Sequence, residues 1–514
     1  MPDQTAPSTD SFPAVEAVEH ALRGPAPEVP ADAGHATELK PNQRLAIYLI
    51  LVAAFVVILN ETILGVALTP IMEELQIDPS TGQWLLTAFM LTMAIVIPLS
   101  GFLLKRFTTR QVFLGAIGIF AVGTLTAAMA PGFEMLLTGR ILQAAGTGVM
   151  MPMLMTTVMT LVPPRQRGQM MGNISIVIAV APALGPTISG IILNSFHWRA
   201  IFWLVLPIAI AALILGAIKL PNVTETKKIS VDALSIVLSA FAFGGLIFGL
   251  SEMGHAVEGS SMIVPPWAIV IFGAVSLAAF VLRQIQLQKK DRALIDLRVF
   301  LSPGYRNGVI LMASLMAVMF GSIILLPIYA QQAAGLDTLQ TGLALLPGGL
   351  LMGFAGPIVG RLYDRVGPRP LVVPGVTIVA LALWGMAFFF VEGAPMWVII
   401  VMHVTLSLGL ALTFTPLFTS ALGAVEPPLY SYASAALGTA QQLAGAAGTA
   451  LFIVIYTIAA ASATQSGAAQ TDVVTAGTHA AFIAAAIGGT ALIAIAFLIK
   501  RPASEMSGGM AIGH

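Results

Sequence analysis

Between Leu45 and Ile499, short charged clusters cut the sequence into apolar stretches of about 20 residues, the length a helix needs to cross a hydrocarbon core about 30 Å thick. In lipid such a chain can satisfy its backbone only within helices or a closed barrel. Barrel strands are shorter and alternate in polarity, and these stretches do neither. Apolar residue types make up 57% of the chain and charged types 9%, whereas a soluble domain carries roughly 25% charge. The expected fold class is therefore an all-α polytopic membrane protein with the lipid bilayer as its solvent.

Charge clusters and Pro, Gly and Asn turns place helices near 45–69, 82–104, 111–130, 135–160, 169–193 and 200–218, then near 232–250 and 267–284. Six more lie near 305–330, 340–360, 371–390, 397–421, 433–458 and 476–499, which makes 14 transmembrane helices. The basic residues test this map, because cytoplasmic loops hold the excess of Lys and Arg. With the N-terminus inside, the inner segments carry Lys105, Arg106, Arg110, Arg165, Arg167, Arg361, Arg365, Arg369, Lys500 and Arg501, among others, whereas the outer segments hold only Arg199. An even helix count puts both termini in the cytoplasm. Residues 1–40, rich in Pro, Ala and acidic side chains, read as a disordered cytoplasmic tail without the layout of a signal peptide. Residues 500–514 read as a second cytoplasmic tail.

One loop occurs twice. Gly101-Phe-Leu-Leu-Lys105-Arg106-Phe-Thr-Thr-Arg110 aligns with Gly360-Arg361-Leu-Tyr-Asp364-Arg365-Val-Gly367-Pro-Arg369, each after the second helix of a six-helix block. The expected organisation is an N-terminal six-helix bundle over 45–218, an inserted two-helix segment over 232–284 and a C-terminal six-helix bundle over 305–499. A short basic turn can pair with helix ends in one conformer and release them in another, so Gly101, Lys105, Arg106, Arg110, Gly360, Asp364, Arg365, Gly367 and Arg369 are the candidates for conformational gating.

Three further features carry chemistry. Arg140 lies in an apolar helix within Arg140-Ile-Leu-Gln143-Ala-Ala-Gly146-Thr-Gly148, where a permanent charge needs a wet cavity or an acid beside it. Glu61, next to Asn60, is the only carboxylate well inside an expected span, so it is the candidate for proton uptake and release. At about 1.5 Å per residue the two sit at comparable depth, which permits contact. In the fifth helix, Ala181-Pro182-Ala-Leu-Gly185-Pro186-Thr-Ile-Ser-Gly190 combines small residues, which allow close helix approach, with prolines, which free carbonyls.

These motifs together resemble the major facilitator superfamily, and within it the fourteen-helix drug:proton antiporter family, over roughly residues 45–499. Gly360 to Arg369 matches the superfamily loop signature Gly-x-Leu-x-Asp-Arg-x-Gly-Arg-Arg apart from Pro368. Its first copy departs, with Lys105 where Asp is expected. The Arg140 segment is similar to Arg-x-x-Gln-Gly-x-Gly, and Pro182, Gly185, Pro186 and Gly190 resemble the antiporter motif, which implies export. The first helix shows Asn60-Glu61 where relatives commonly carry Asp, so the acid has moved one place, about 100° round the helix. The resemblance implies a major facilitator fold of two six-helix bundles plus two additional central helices. It also implies proton-coupled multidrug efflux by alternating access, with Glu61 and Arg140 in proton coupling.

Polar residues on the spans, namely Asn60, Gln143, Asn173, Gln331, His403, Gln441 and Gln442, are candidates for the substrate cavity, although such side chains also join helices. His197-Trp198-Arg199 reads as a structural anchor at the outer interface. No Gly-Lys pair exists to build a phosphate loop, the 7 His residues are scattered, and no Gly-x-Ser-x-Gly turn occurs. The expectation is accordingly a transporter and not an enzyme, driven by an ion gradient, with no cofactor and no metal. Its expected partners are protons and small lipophilic or cationic substrates, with no nucleic acid, and it is expected to act as a monomer in a bacterial cytoplasmic membrane. The same scaffold also fits an exporter of an endogenous lipid or metabolite, or a proton-coupled uptake symporter.

Overall fold

Several of the apolar stretches begin where the sequence offers a cap. Asp78 accepts from the Thr81 amide at 3.0 Å, Thr108 and Gln111 form a reciprocal capping box, and Asp337 and Gln340 form another. In the computed structural model, which describes residues 39–223, 226–227, 232–256, 264–290 and 292–502, these caps open an all-helical chain. The first six helices are α1 (Pro41–Leu75), α2 (Pro79–Arg106), α3 (Thr109–Ala128), α4 (Phe133–Leu161), α5 (Arg167–Ser195) and α6 (Arg199–Lys219). The inserted pair is α7 (233–256) and α8 (Pro266–Gln288). The last six are α9 (Pro303–Gln332), α10 (Thr338–Val366), α11 (Arg369–Phe389), α12 (Met396–Gly423), α13 (Tyr430–Gln465) and α14 (Gln470–Ala496). The tails expected over 1–40 and 500–514 fall almost wholly outside the described residues.

Among the described residues, 13 of these helices are long and apolar enough to cross a membrane. The other, α5, has 29 residues, long enough to span. Long apolar helices leave exposed belts of large side chains, such as Trp267, Ile271 and Val275 on α8, as a lipid solvent demands. The protein is multi-pass.

The inserted pair packs on a seam contributed by both halves. Ala94 and Phe102 of α2, Phe243 and Ile247 of α7, Phe280 of α8 and Ala436 and Ala446 of α13 form one buried cluster. A π-turn over Ala240–Gly244 widens α7 and sets the Phe243 ring edge-on to Phe280, with centroids 5.8 Å apart. Asp232 caps α7 and pairs with Arg283 of α8 at 2.9 Å. Buried Gln284 donates to Ser235 and accepts from the Leu294 amide, which ties the following loop to the pair.

On the basic-loop side the two halves meet through α5 and α10. Gly168 and Gly172 of one face Gly356 and Gly360 of the other so closely that a Cβ at Gly168 would strike the Gly360 carbonyl and the Asp364 carboxylate. Only glycine permits that approach. Gly367 ends α10 with φ +82°, a left-handed conformation that turns the chain into α11.

Candidate functional site: a buried polar cluster, a cavity and a latch

Arg140 is 1% exposed, deep in α4. Its Nη1 donates to Gln143 Oε1 at 2.8 Å, and its guanidinium lies 4.0 Å from the centre of the Phe89 ring on α2. Gln143 Nε2 in turn donates to Thr124 Oγ1 at 2.9 Å on α3 and to Asn60 Oδ1 at 3.4 Å on α1. Four helices thus converge on one charge. Glu61, beside Asn60, is partly buried, and its charge interacts with that of Arg140. Among the described residues no ion pair within 4 Å joins the two. The cluster is also undersupplied with partners, because Asn60 Nδ2 and Arg140 Nε have none. A buried charge held by one hydrogen bond and one ring is a high-energy arrangement that a nearby carboxylate can bias.

The antiporter-like motif of α5 lies against this cluster. At Gly185 a Cβ would collide with Thr62 of α1, the neighbour of Glu61, whereas Gly190 faces open space. Of these two glycines, Gly185 is the one that serves close packing. Pro182 and Pro186 fall within the same uninterrupted helix.

Between the halves lies a cavity of about 220 Å³, walled mainly by α9, α10 and α12, with Ser175, Ile178 and Ala179 supplied by α5. His403 is on its wall. Asn60 and Gln143, expected to line the cavity, instead belong to the Arg140 cluster, because their amides are spent on one another and on Thr124. Gln442 lines a separate space of about 70 Å³ between α2, α7, α9 and α13. Asn173 and Gln441 are partly buried on α5 and α13 outside both spaces, and Gln331 is exposed at the end of α9.

The gating candidates divide sharply. Asp364 accepts from the amides of Gly168 and Gln169, each at 2.8 Å, and so caps α5 from the opposite half. Arg501 donates to the Asp364 carbonyl at 2.9 Å, holding the end of α10. At the first copy, Gly101 packs on Ser431 and Ala435 of α13, and the Lys105 ammonium stands 5.9 Å from the Tyr432 ring centre. Arg167 likewise faces the Tyr430 ring at 5.6 Å. Aromatic faces meet cations at the start of α13, where a carboxylate meets amides at the start of α5. Arg110 reaches the Ala217 carbonyl of α6 and Arg369 the Phe497 ring, both within their own halves. Arg361 donates to the Pro357 carbonyl of its own helix, while Arg106 and Arg365 lie at the ends of α2 and α10.

Sequence reasoning did not find the partners. Phe89, Thr124, Gly168 and Gln169 carry no motif signal, although Gly168-x-x-x-Gly172 is a spacing that close helix approach uses. His197, Trp198 and Arg199 converge on Glu74 at the end of α1, with Arg199 Nη1 at 2.6 Å and Trp198 Nε1 at 2.9 Å, while Arg199 also donates to the Ala130 carbonyl. This knot pulls the Glu74 carboxyl below the usual carboxylate range: desolvation alone would raise it, and the bonds from Arg199, His197 and Trp198 outweigh that. No group of His, Cys, Asp and Glu among the described residues is placed to hold a metal.

The model of the Major Facilitator Superfamily matches residues 50–449. The chain belongs to this superfamily. Its fold resembles that of the human organic anion transporter MFSD10 (TETRAN), with TM-score 0.64 at 17% identity over 90% of this chain and 100% of that one. Among curated relatives, an uncharacterized MFS-type transporter of Bacillus subtilis, YcnB, is 38% identical over 466 residues, covering 90% of this chain and 97% of that protein. The lincomycin resistance protein LmrB of Bacillus subtilis is 40% identical over 410 residues, or 79% of this chain and 84% of that protein. This major facilitator protein is thus a membrane transporter.

Proposed function

We propose that this transporter is a proton-coupled antiporter that exports small amphipathic or cationic compounds by alternating access. The observation that carries the reading is Glu61, a carboxylate on an apolar span whose charge interacts with buried Arg140. Protonation of Glu61 from the outside removes its pull on Arg140. The Gln143–Asn60–Thr124 network then relaxes, and α1, α4 and the α5 segment packed on Thr62 shift together. Substrate enters the cavity from the cytoplasm or inner leaflet and leaves on the other side. Asp364 and the glycine crossing hold the basic-loop side shut in one facing and release it in the other. The resistance named for LmrB supports export. The protein sits as a monomer in a bacterial cytoplasmic membrane, both termini inside.

The test is purified protein in liposomes with an imposed pH gradient, assayed against a panel of lipophilic amines. Substrate movement opposite to proton flow is expected, and Glu61→Gln, which keeps size and removes titration, should abolish it while the protein still folds. Full gradient-driven transport by Glu61→Gln would remove Glu61 from coupling, and co-directional movement would mean symport.

A further inference from the structure

Four polar side chains converge on the smaller space where the inserted pair meets both halves. Thr87 of α2, Ser251 of α7 and Gln442 and Thr449 of α13 line these 70 Å³, together with apolar residues that include Met90, Phe248 and Phe320. Among the described residues none of the four has a side-chain hydrogen-bond partner, whereas Thr92 on α2 and Thr439 and Thr457 on α13 return their hydroxyls to the preceding turn. All four are half-buried, and none of their polar atoms is sealed in the packing, as Nε2 of Gln441, the preceding residue on α13, is. They are therefore both unbonded and open to the space. An unpaired polar group on an apolar span is costly, and four of them on one space make a site for a group that bonds them.

The chemistry of the site follows from its lining. Hydroxyls donate and accept, and the Gln442 amide accepts at Oε1 and donates at Nε2, so a complementary group does both. Among the described lining residues there is no Asp, Glu, Lys, Arg or His. Glu252, the residue after Ser251, is turned about 100° round α7 and does not line the space. A charged head would lose its hydration there and meet no counter-charge. Size sets a second limit. A dry cavity of about 150 Å³ holds a benzene ring, so 70 Å³ takes a head of a few atoms and no ring. Met90, 41% exposed, marks the mouth, and nearby Trp84 stacks on Phe248 with centroids 5.7 Å apart. An aliphatic tail leaving the space there has an apolar surface to lie on.

We infer that this space binds the small uncharged head of an amphipathic molecule dissolved in the bilayer, a primary amide or hydroxyl bonded to Gln442 with Thr87, Ser251 and Thr449 around it. The tail leaves past Met90. The inference goes beyond the export reading and does not rest on it, because neither the larger cavity nor the Glu61–Arg140 pair takes part. It also gives the inserted pair a role, since α7 supplies Ser251 and Phe248. A seated head touches the N-terminal half, the inserted pair and the C-terminal half together.

The experiment is photo-crosslinking of the full chain in nanodiscs with a decanamide that carries a diazirine beside its amide, the labelled residues being mapped by peptide mass spectrometry. The competitors are decanamide, its isostere undecan-2-one, in which a methyl replaces the amide nitrogen, and decyltrimethylammonium, each dosed to the same mole fraction of the bilayer. Labels should fall on the residues of α2, α7, α9 and α13 that line the space. Decanamide should suppress them at about one-tenth of the dose that the ketone needs, the difference one hydrogen bond supplies. The cation should compete no better than the ketone. Gln442→Leu should bring the amide-to-ketone ratio toward one, and Thr449→Val should lower it. Neither substitution removes a bond within the protein, and should Gln442→Leu nonetheless misfold, Thr449→Val decides. Labels confined to the lipid-facing belts or to the larger cavity, a cation that competes as well as the amide, or a ratio unchanged by the deciding variant overturns the inference.

Discussion

Asp364 on α10 holds the amide of Gly168 on α5 at 2.8 Å across 196 residues of chain, joining the two halves of the transporter. Its second oxygen takes the Gln169 amide, so one carboxylate satisfies two donors that a helix start leaves over. The equivalent position in the first half is Lys105, whose ammonium can accept nothing and stands over Tyr432 instead.

This asymmetry predicts unequal effects on the balance between the two facings. Asp364→Asn keeps one acceptor oxygen and loses the charge at a helix N-terminus, a loss of about 1 kcal/mol that shifts the ratio of facings about fivefold. Lys105→Ala removes a cation held near the Tyr432 ring, a contact worth about 0.5–1 kcal/mol, without freeing an amide at a helix start, and shifts it less. Double electron–electron distances between the halves read both populations. Equal shifts would end the idea of an asymmetric latch.

Steric closure of the same crossing gives a second test. Gly168→Ala places a Cβ against the Gly360 carbonyl and Asp364, and overpacking of this kind costs about 1–3 kcal/mol. The variant should move the distances in the same direction as Asp364→Asn, and by at least as much. Wild-type distances in Gly168→Ala would mean that the crossing is looser than its geometry.

Arg140→Lys should lower turnover about tenfold although the charge is kept. A single ammonium cannot both donate to Gln143 and lie flat on Phe89, a contact worth about 2 kcal/mol when desolvated. Initial rates in proteoliposomes, compared with Arg140→Ala, decide it. Wild-type rates in Arg140→Lys would reduce Arg140 to a source of positive potential.

The inserted pair should loosen in acid. The bond from Arg283 holds the Asp232 carboxyl down at about 2, helped by Ser235 and opposed by desolvation. A carboxyl depressed in the folded state stabilises fully above its unfolded value near 4, and that contribution disappears as pH falls toward 2. Asp232→Asn should lower the melting temperature in detergent by about 2–4 °C at pH 7. The gap from wild type should shrink as the pH drops from about 4 toward 2. A gap constant across that range would show that the pair contributes through packing and not through charge.

The helices were legible in the sequence because each answers to its own residues. An apolar stretch of span length in lipid has no alternative to helix, and caps such as Asp78 and Asp337 mark where it starts. The duplicated loop and the charge asymmetry gave the two bundles and the inserted pair for the same reason, since length, sign and spacing are properties of one strand of chain. The positions of Arg140, Glu61 and Asp364 as chemically loaded residues were also readable, because charge on or beside an apolar span is costly wherever the helix packs.

Only the tertiary structure decided what those residues face. Hydrogen-bond partners 83 or 196 positions away, Asn60 for Gln143 and Gly168 for Asp364, depend on how helices rotate and cross, and spacing along one helix does not encode that. The depth count allowed Arg140 to meet Glu61, yet the guanidinium bonds Gln143 one turn on in its own helix and lies on Phe89, which the packing of α2 supplies. The cavity depends on the same freedom. Ser322 looks like any helical serine until α9, α10 and α12 enclose it with His403, because burial and lack of a partner are properties of the packed interior and not of the residue.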